Sequence, residues 1–147
     1  MSQATPIEVR RPQDARERDA ARALRREVFV DEQGVPQDLE MDGRDADALH
    51  LVAIHGGEVI GTCRVVVDGS IAKLGRLAVK CDARGAGAGT ALLNAAEAEA
   101  RAAGARRMVL DAQTHATRLY SSRGYVQVGA PFREAGIEHV GMEKRLG

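Results

Sequence analysis

The chain has 147 residues, the size of a single domain, and its 21 Lys and Arg balance its 21 Asp and Glu, so its formal charge is zero. That balance lacks the basic excess by which nucleic-acid binders are recognised, and no nucleic-acid partner is expected. No apolar run approaches the roughly 18 residues that span a bilayer, and the opening MSQATPIEVRR lacks the basic-then-apolar order of a leader, so a cytoplasmic protein with no membrane partner is expected.

In chain order, IEVRR reads as a short first strand, closed by Pro12 and Asp14. An Arg-rich helix follows from about Ala15 to Val30, with Ala20, Leu24 and Val28 at helical spacing. Residues 31–50 are acidic and broken by Gly34, Pro36 and Gly43, which suits loop and short helix. The β-branched stretches from Leu49 to Lys80 are divided by Gly56-Gly57 and Asp68-Gly69, the chemistry of tight turns, and predict three antiparallel strands. An Ala- and Leu-rich helix runs from Gly87 to Gly104, then the strand RRMVLDA, a short helix in THATRLYSSRG, and two last strands, YVQVGAPF and IEHVGMEKRL. This order describes one α/β (α+β) domain over residues 1–147, with a mixed, mostly antiparallel sheet flanked by helices. Cys63 and Cys81 have neither C-x-x-C nor zinc-ligand spacing, so no metal is expected and both read as reduced core or strand thiols.

The stretch KLGRLAVKCDARGAGAGTALL passes from a strand through three glycines into a helix. Such a turn exposes unpaired backbone N–H groups at the positive end of a helix dipole and admits close approach of a ligand, so it can cradle an anion. A turn with glycine for dihedral reasons only is the plainer alternative. A P-loop is excluded, because Thr90 follows Gly89 with no lysine between them. Asp111 lies about where a dinucleotide fold carries its ribose-binding acid, but the glycines stand at G-x-G-x-G and follow tightly connected, antiparallel strands, whereas that fold needs parallel ones.

RGAGAG resembles the acetyl-CoA pyrophosphate loop of the GNAT superfamily of N-acetyltransferases, Q/R-x-x-G-x-G/A, with Arg84, Gly87 and Gly89 at the defining positions. GRLAV before it is similar to the family's pantetheine-pairing strand, and ATRLYSSRGY after it to the A-x-x-x-Y-x-x-x-G-F/Y segment. FVDEQGVP, DADALHLVA and LDAQTHATRLYSSRGY resemble the ElaA-like or YjcF-like branch.

The resemblance implies acetyl transfer from acetyl-CoA to an amine acceptor by direct attack on the thioester, on a sheet whose fourth and fifth strands splay apart. It implies that the backbone of Leu77, Ala78 and Val79 pairs with the pantetheine arm. N–H groups of Arg84, Gly85, Ala86, Gly87, Ala88, Gly89 and Thr90 would wrap the pyrophosphate. Gln113 stands where many members carry an asparagine that touches the cofactor arm. Tyr120 matches the general acid beside the leaving thiolate, and Tyr125 a packing aromatic. For the base, Glu32, Glu40, His50, His139 and a water chain all stand open, with Glu32 and Glu40 on the acceptor side. Residues 31–50 carry seven acids against Arg44 alone, which beside an acceptor channel would favour a cationic amine. A homodimer is implied too. A non-catalytic acyl-CoA-binding module and an interaction protein on the same scaffold are the alternatives.

Overall fold

Local sequence chemistry sets most of the elements. The computed structural model describes residues 6–147; residues 1–5, the start of the stretch read above for a leader, lie outside it. After strand β1 (Glu8–Arg10), the Asp14 carboxylate accepts the Glu17 N–H at 2.9 Å and caps helix α1 (Ala15–Arg25). Expected to run straight to Val30, the helix instead widens after Arg25 into a π-helical stretch, Arg26–Glu32. Such wide turns are rare and gather at functional sites. A four-residue helix α2 (Gln37–Glu40) and a 3₁₀ turn (Asp45–Asp47) cross the acidic segment.

The three expected antiparallel strands are present as β2 (Leu49–His55), β3 (Glu58–Asp68) and β4 (Ile71–Val79). Helix α3 (Ala88–Ala102), strand β5 (Arg107–Gln113), helix α4 (Thr117–Ser121) and the hairpin β6 (Val126–Glu134) with β7 (Ile137–Arg145) complete the chain. The seven strands form one sheet in the order β1-β2-β3-β4-β5-β7-β6. Among the described strands only β4 and β5 are parallel, because α3 supplies the crossover between them. Among the described residues no helix is long and apolar enough to cross a membrane.

Two helical layers cover the sheet unequally. On one face the small residues of α3, Ala96 and Ala100, let the helix sink onto Leu51, Val65, Leu74, Met108 and Leu110, all buried. On the other, α1 places Ala21 on Val52 and Val59 and Leu24 on Ala78, which Val28 of the π-helical stretch also covers. Cys63 is buried in the first layer, whereas Cys81 is exposed on a 3₁₀ turn just after β4, so the expectation of a core or strand thiol fails for Cys81.

Parallel pairing of β4 with β5 runs only from Ile71 with Arg107 to Leu74 with Leu110. Beyond that point β4 follows β3 to Val79 and β5 follows β7 to Gln113, so the two strands part. A bulge accompanies the parting. Thr62 pairs with Ala78 and Arg64 with Gly75, which gives β4 one residue more than β3 and brings Arg76 to φ 54°. A left-handed conformation costs a non-glycine residue about 1–2 kcal/mol. The Arg76 guanidinium offsets it by donating to the carbonyls of Leu39 and Glu40 at 3.2 and 3.0 Å.

Candidate active site

The gap between the parted strands is bordered on one side by Leu77, Ala78 and Val79, whose gap-facing backbone has no strand partner; the Val79 carbonyl accepts Arg84 Nε at 3.0 Å. At its end the chain turns through Arg84 to Thr90. Gly85 and Gly87 hold φ of +88° and +90°, a region closed to most side chains, and a Cβ on either would meet nothing within 4 Å. Gly87 is the N-cap of α3, and no side chain caps the helix there. The first-turn N–H groups therefore remain available to an anion, with open space above the glycines to receive it. These features fit the pyrophosphate of acetyl-CoA at Gly85, Ala86, Gly87, Ala88, Gly89 and Thr90. A Cβ built on Gly89 lies 3.4 Å from Leu119, so α4 packs against this first turn.

Tyr120, the next residue on α4, is 8% exposed, with its ring edge-to-face on Tyr125 at 5.9 Å. Burial pushes its phenol up to about 12, and the nearby Cys63 adds to the shift. Its hydroxyl has no protein hydrogen-bond partner among the described residues, and it remains a proton carrier throughout the physiological range. Tyr125 is structural, as expected: its hydroxyl donates to Glu97 at 2.9 Å, and the same carboxylate holds Lys144 at 2.9 Å. Burial, then Glu97, pushes the Tyr125 phenol far above its ordinary value.

Across the gap, the π-helical stretch reaches both banks. Glu32 accepts two bonds from Arg84, at 2.9 and 3.1 Å, and Gln33 Oε1 accepts one from Gln113 Nε2 at 2.8 Å. Gln33 was invisible to sequence reasoning, since its partner lies 80 residues away. His139 is the cross-strand neighbour of Gln113, whereas His50 sits on β2 with β3 between it and β4.

Glu40 does not have the setting expected of a base. It is 7% exposed, and its carboxylate lies 2.7 Å from Arg25 and 3.2 Å from Arg76. Asp42 is held by Arg64 and Arg76, and Asp45 by Arg25 at 2.8 Å and Arg64 at 3.1 Å. Half of the surplus of negative charge counted over residues 31–50 is thus matched by Arg25, Arg64 and Arg76 from α1, β3 and β4. Arg64 is the main cause that holds Asp42 far below the usual carboxylate range. For Asp45, burial pulls upward, but Arg25 and Arg64 outweigh it and the carboxyl is lowered.

A cavity of about 620 Å³ lies at the opposite end of the sheet, lined by Ser70, Ile71, Arg106, Arg107 and Arg145. It adjoins neither the glycine turn nor the parted strands, and has no part in the site.

The sheet is thus mixed, and among the described strands its one parallel pair opens beside an uncapped, glycine-led helix. Residues 11–146 match the acetyltransferase (GNAT) domain, and the chain belongs to that family. It is 37% identical over 122 residues to the uncharacterized N-acetyltransferase YjcF of Bacillus subtilis, covering 82% of this chain and 87% of YjcF. Among solved structures it is similar to ElaA of Escherichia coli, with TM-score 0.79, 25% identity, and coverage of 95% of this chain and 99% of that one. An aminoglycoside 6'-N-acetyltransferase complexed with coenzyme A shares the fold, with TM-score 0.77 at 16% identity over 95% of this chain and 97% of that one.

Proposed function

We propose that this GNAT acetyltransferase moves the acetyl group of acetyl-CoA onto the nitrogen of an amine by direct attack on the thioester. The observation that carries the reading is the parting of β4 from β5 beyond Leu74 and Leu110, at the point where the glycine turn delivers the bare N-terminus of α3. An extended amide arm fits along Leu77 and Ala78, with its pyrophosphate on the helix end and its thioester toward Gln113 and Tyr120. The coenzyme A complex of the aminoglycoside enzyme supports the cofactor class.

An amine with a pKa of about 10.4 arrives as ammonium near pH 7 and must lose a proton before its nitrogen can attack. The C–N bond then forms, the C–S bond breaks, and the departing sulfur needs a hydrogen-bond donor. Tyr120 is the donor in this reading, because its hydroxyl is protonated and unengaged. Gln113 holds the acceptor-side segment through Gln33 and is placed to orient the cofactor arm.

The test is calorimetric titration with acetyl-CoA, followed by thiol release and mass spectrometry on amine acceptors. Binding with turnover supports the reading. Binding without acetylation of any amine identifies an acyl-CoA-binding module instead, and no binding removes the cofactor assignment.

A further inference from the structure

Resting on the amine reading above, the reaction needs a group that takes the ammonium proton, and the four candidate side chains differ in their partners and in how many strands separate them from the gap. Glu40 is buried between Arg25 and Arg76, and Glu32 is held by Arg84. His50 has Nε2 2.8 Å from the Asp45 carbonyl, is paired with the cationic Arg64 in the β2–β3 register, and is separated from the gap by both β3 and β4.

His139 is separated from the gap by β5 alone. It lies directly opposite Gln113 in the β5–β7 register, so the two share a face of the sheet at the end where β5 has left β4. Its Nδ1 is 2.7 Å from the carbonyl oxygen of Ile137. A carbonyl only accepts, so Nδ1 carries the proton and Nε2 presents its lone pair. Nε2 has no protein hydrogen-bond partner among the described residues. The Phe132 ring stacks on the imidazole at 5.8 Å and 20°, which holds its plane. The carboxylates on the same face of these strands are engaged elsewhere: Asp111 with Lys73 at 3.2 Å, and Glu143 with Arg107 at 3.9 Å.

Tyr120 belongs to the opposite layer, packed in the α3-side core with Ala112. Because successive strand residues alternate faces, Gln113 and its neighbour His139 point the other way. His139 and Tyr120 thus lie on opposite faces of the sheet.

We propose that His139 Nε2 is the proton acceptor for the attacking amine. The ammonium gives one proton to Nε2, and the freed lone pair forms the C–N bond. As the C–S bond breaks, sulfur takes a proton by way of Tyr120 and the nitrogen sheds its surplus one, which replenishes Tyr120. Imidazolium returns its proton to solvent, for a net release of one proton per turnover.

The experiment compares two classes of acceptor. Spermidine, kanamycin and a lysine-bearing peptide arrive as ammonium, whereas hydroxylamine arrives at neutral pH largely unprotonated and has little need of a base. In His139→Gln and His139→Ala, kcat/KM for the ammonium acceptors should fall by about 10²-fold or more, with hydroxylamine nearly unaffected and acetyl-CoA affinity unchanged by calorimetry. Added imidazole should restore part of the rate of His139→Ala. Equal losses with both classes, or parent rates with both, overturn the assignment. A parent protein that binds acetyl-CoA but acetylates neither class overturns the N-acetyltransferase reading itself, and this assignment with it.

Discussion

The Arg84 guanidinium holds the Glu32 carboxylate at 2.9 and 3.1 Å, so the cation that opens the glycine turn is engaged by the π-helical stretch Arg26–Glu32. A pyrophosphate arriving at the helix end competes with Glu32 for that charge. Exposed pairs of this kind are worth about 0.2–1 kcal/mol, so Glu32→Gln should tighten acetyl-CoA binding by up to about fivefold, measured by calorimetry at low salt. Weaker binding, or a collapse of kcat, would show that Glu32 serves the chemistry rather than restraining Arg84.

Gly87 and Gly89 differ in what a side chain would do. Gly87 sits at φ +90° in open space, so Gly87→Ala is strained by its backbone, at a cost of about 1 kcal/mol or more, and should distort the turn and weaken acetyl-CoA at least tenfold. A Cβ at Gly89 meets only Leu119, at an ordinary 3.4 Å, so Gly89→Ala should leave the melting temperature within a few degrees of the parent. Equal thermal and binding losses in both variants would contradict this division.

Tyr120→Phe removes the hydroxyl that the proposed mechanism assigns to the departing sulfur and should leave acetyl-CoA affinity nearly intact. A phenol at about 12 is a weaker acid than a thiol of about 8.5, so complete proton transfer to the thiolate is uphill by roughly 5 kcal/mol. Hydrogen bonding to the developing charge is therefore the larger part of the effect, and kcat should drop by about 10²–10³, the range for losing one such donor. An acyl donor with a more acidic leaving thiol should recover much of that rate. The parent pH profile should show no falling limb from Tyr120 below about pH 10, because the group stays protonated there. A variant that turns over at the parent rate with both donors would make Tyr120 a packing residue.

Acid should weaken the fold through its arginine-held carboxylates. Glu17 is held down to about 2, chiefly by a hydrogen bond from Arg10, and Asp42 lower still, chiefly by Arg64. Both bind protons less readily folded than unfolded, where carboxylates titrate at about 4. Their contribution is complete above that value and is lost as pH falls toward and through the folded one. The melting temperature should decline between about pH 4 and pH 2, and in Arg64→Met the decline should be shallower, since Asp42 then titrates nearer its ordinary range. An unchanged slope in the variant would remove Arg64 as the cause.

The sequence by itself determined what depends on near neighbours. Gly56-Gly57 and Asp68-Gly69 placed the turns between β2, β3 and β4, the Ala-rich run placed α3, and Arg84, Gly87 and Gly89 marked the helix end that can receive phosphate. Turn dihedrals, helical periodicity and bare helix termini are properties of a few consecutive residues, so they can be read along the chain. Tertiary structure decided what depends on distant partners. The acids of residues 31–50 look like a free negative run until Arg25, Arg64, Arg76 and Arg84 arrive from other elements and pair with them. Which of 21 basic residues meets which of 21 acidic ones is set by which strands and helices lie side by side, and no local pattern encodes it. The same holds for Gln33 with Gln113, and for Glu32 and Glu40, whose carboxylates meet arginines from distant parts of the chain. Each of these pairs forms only because packing brings separate segments side by side.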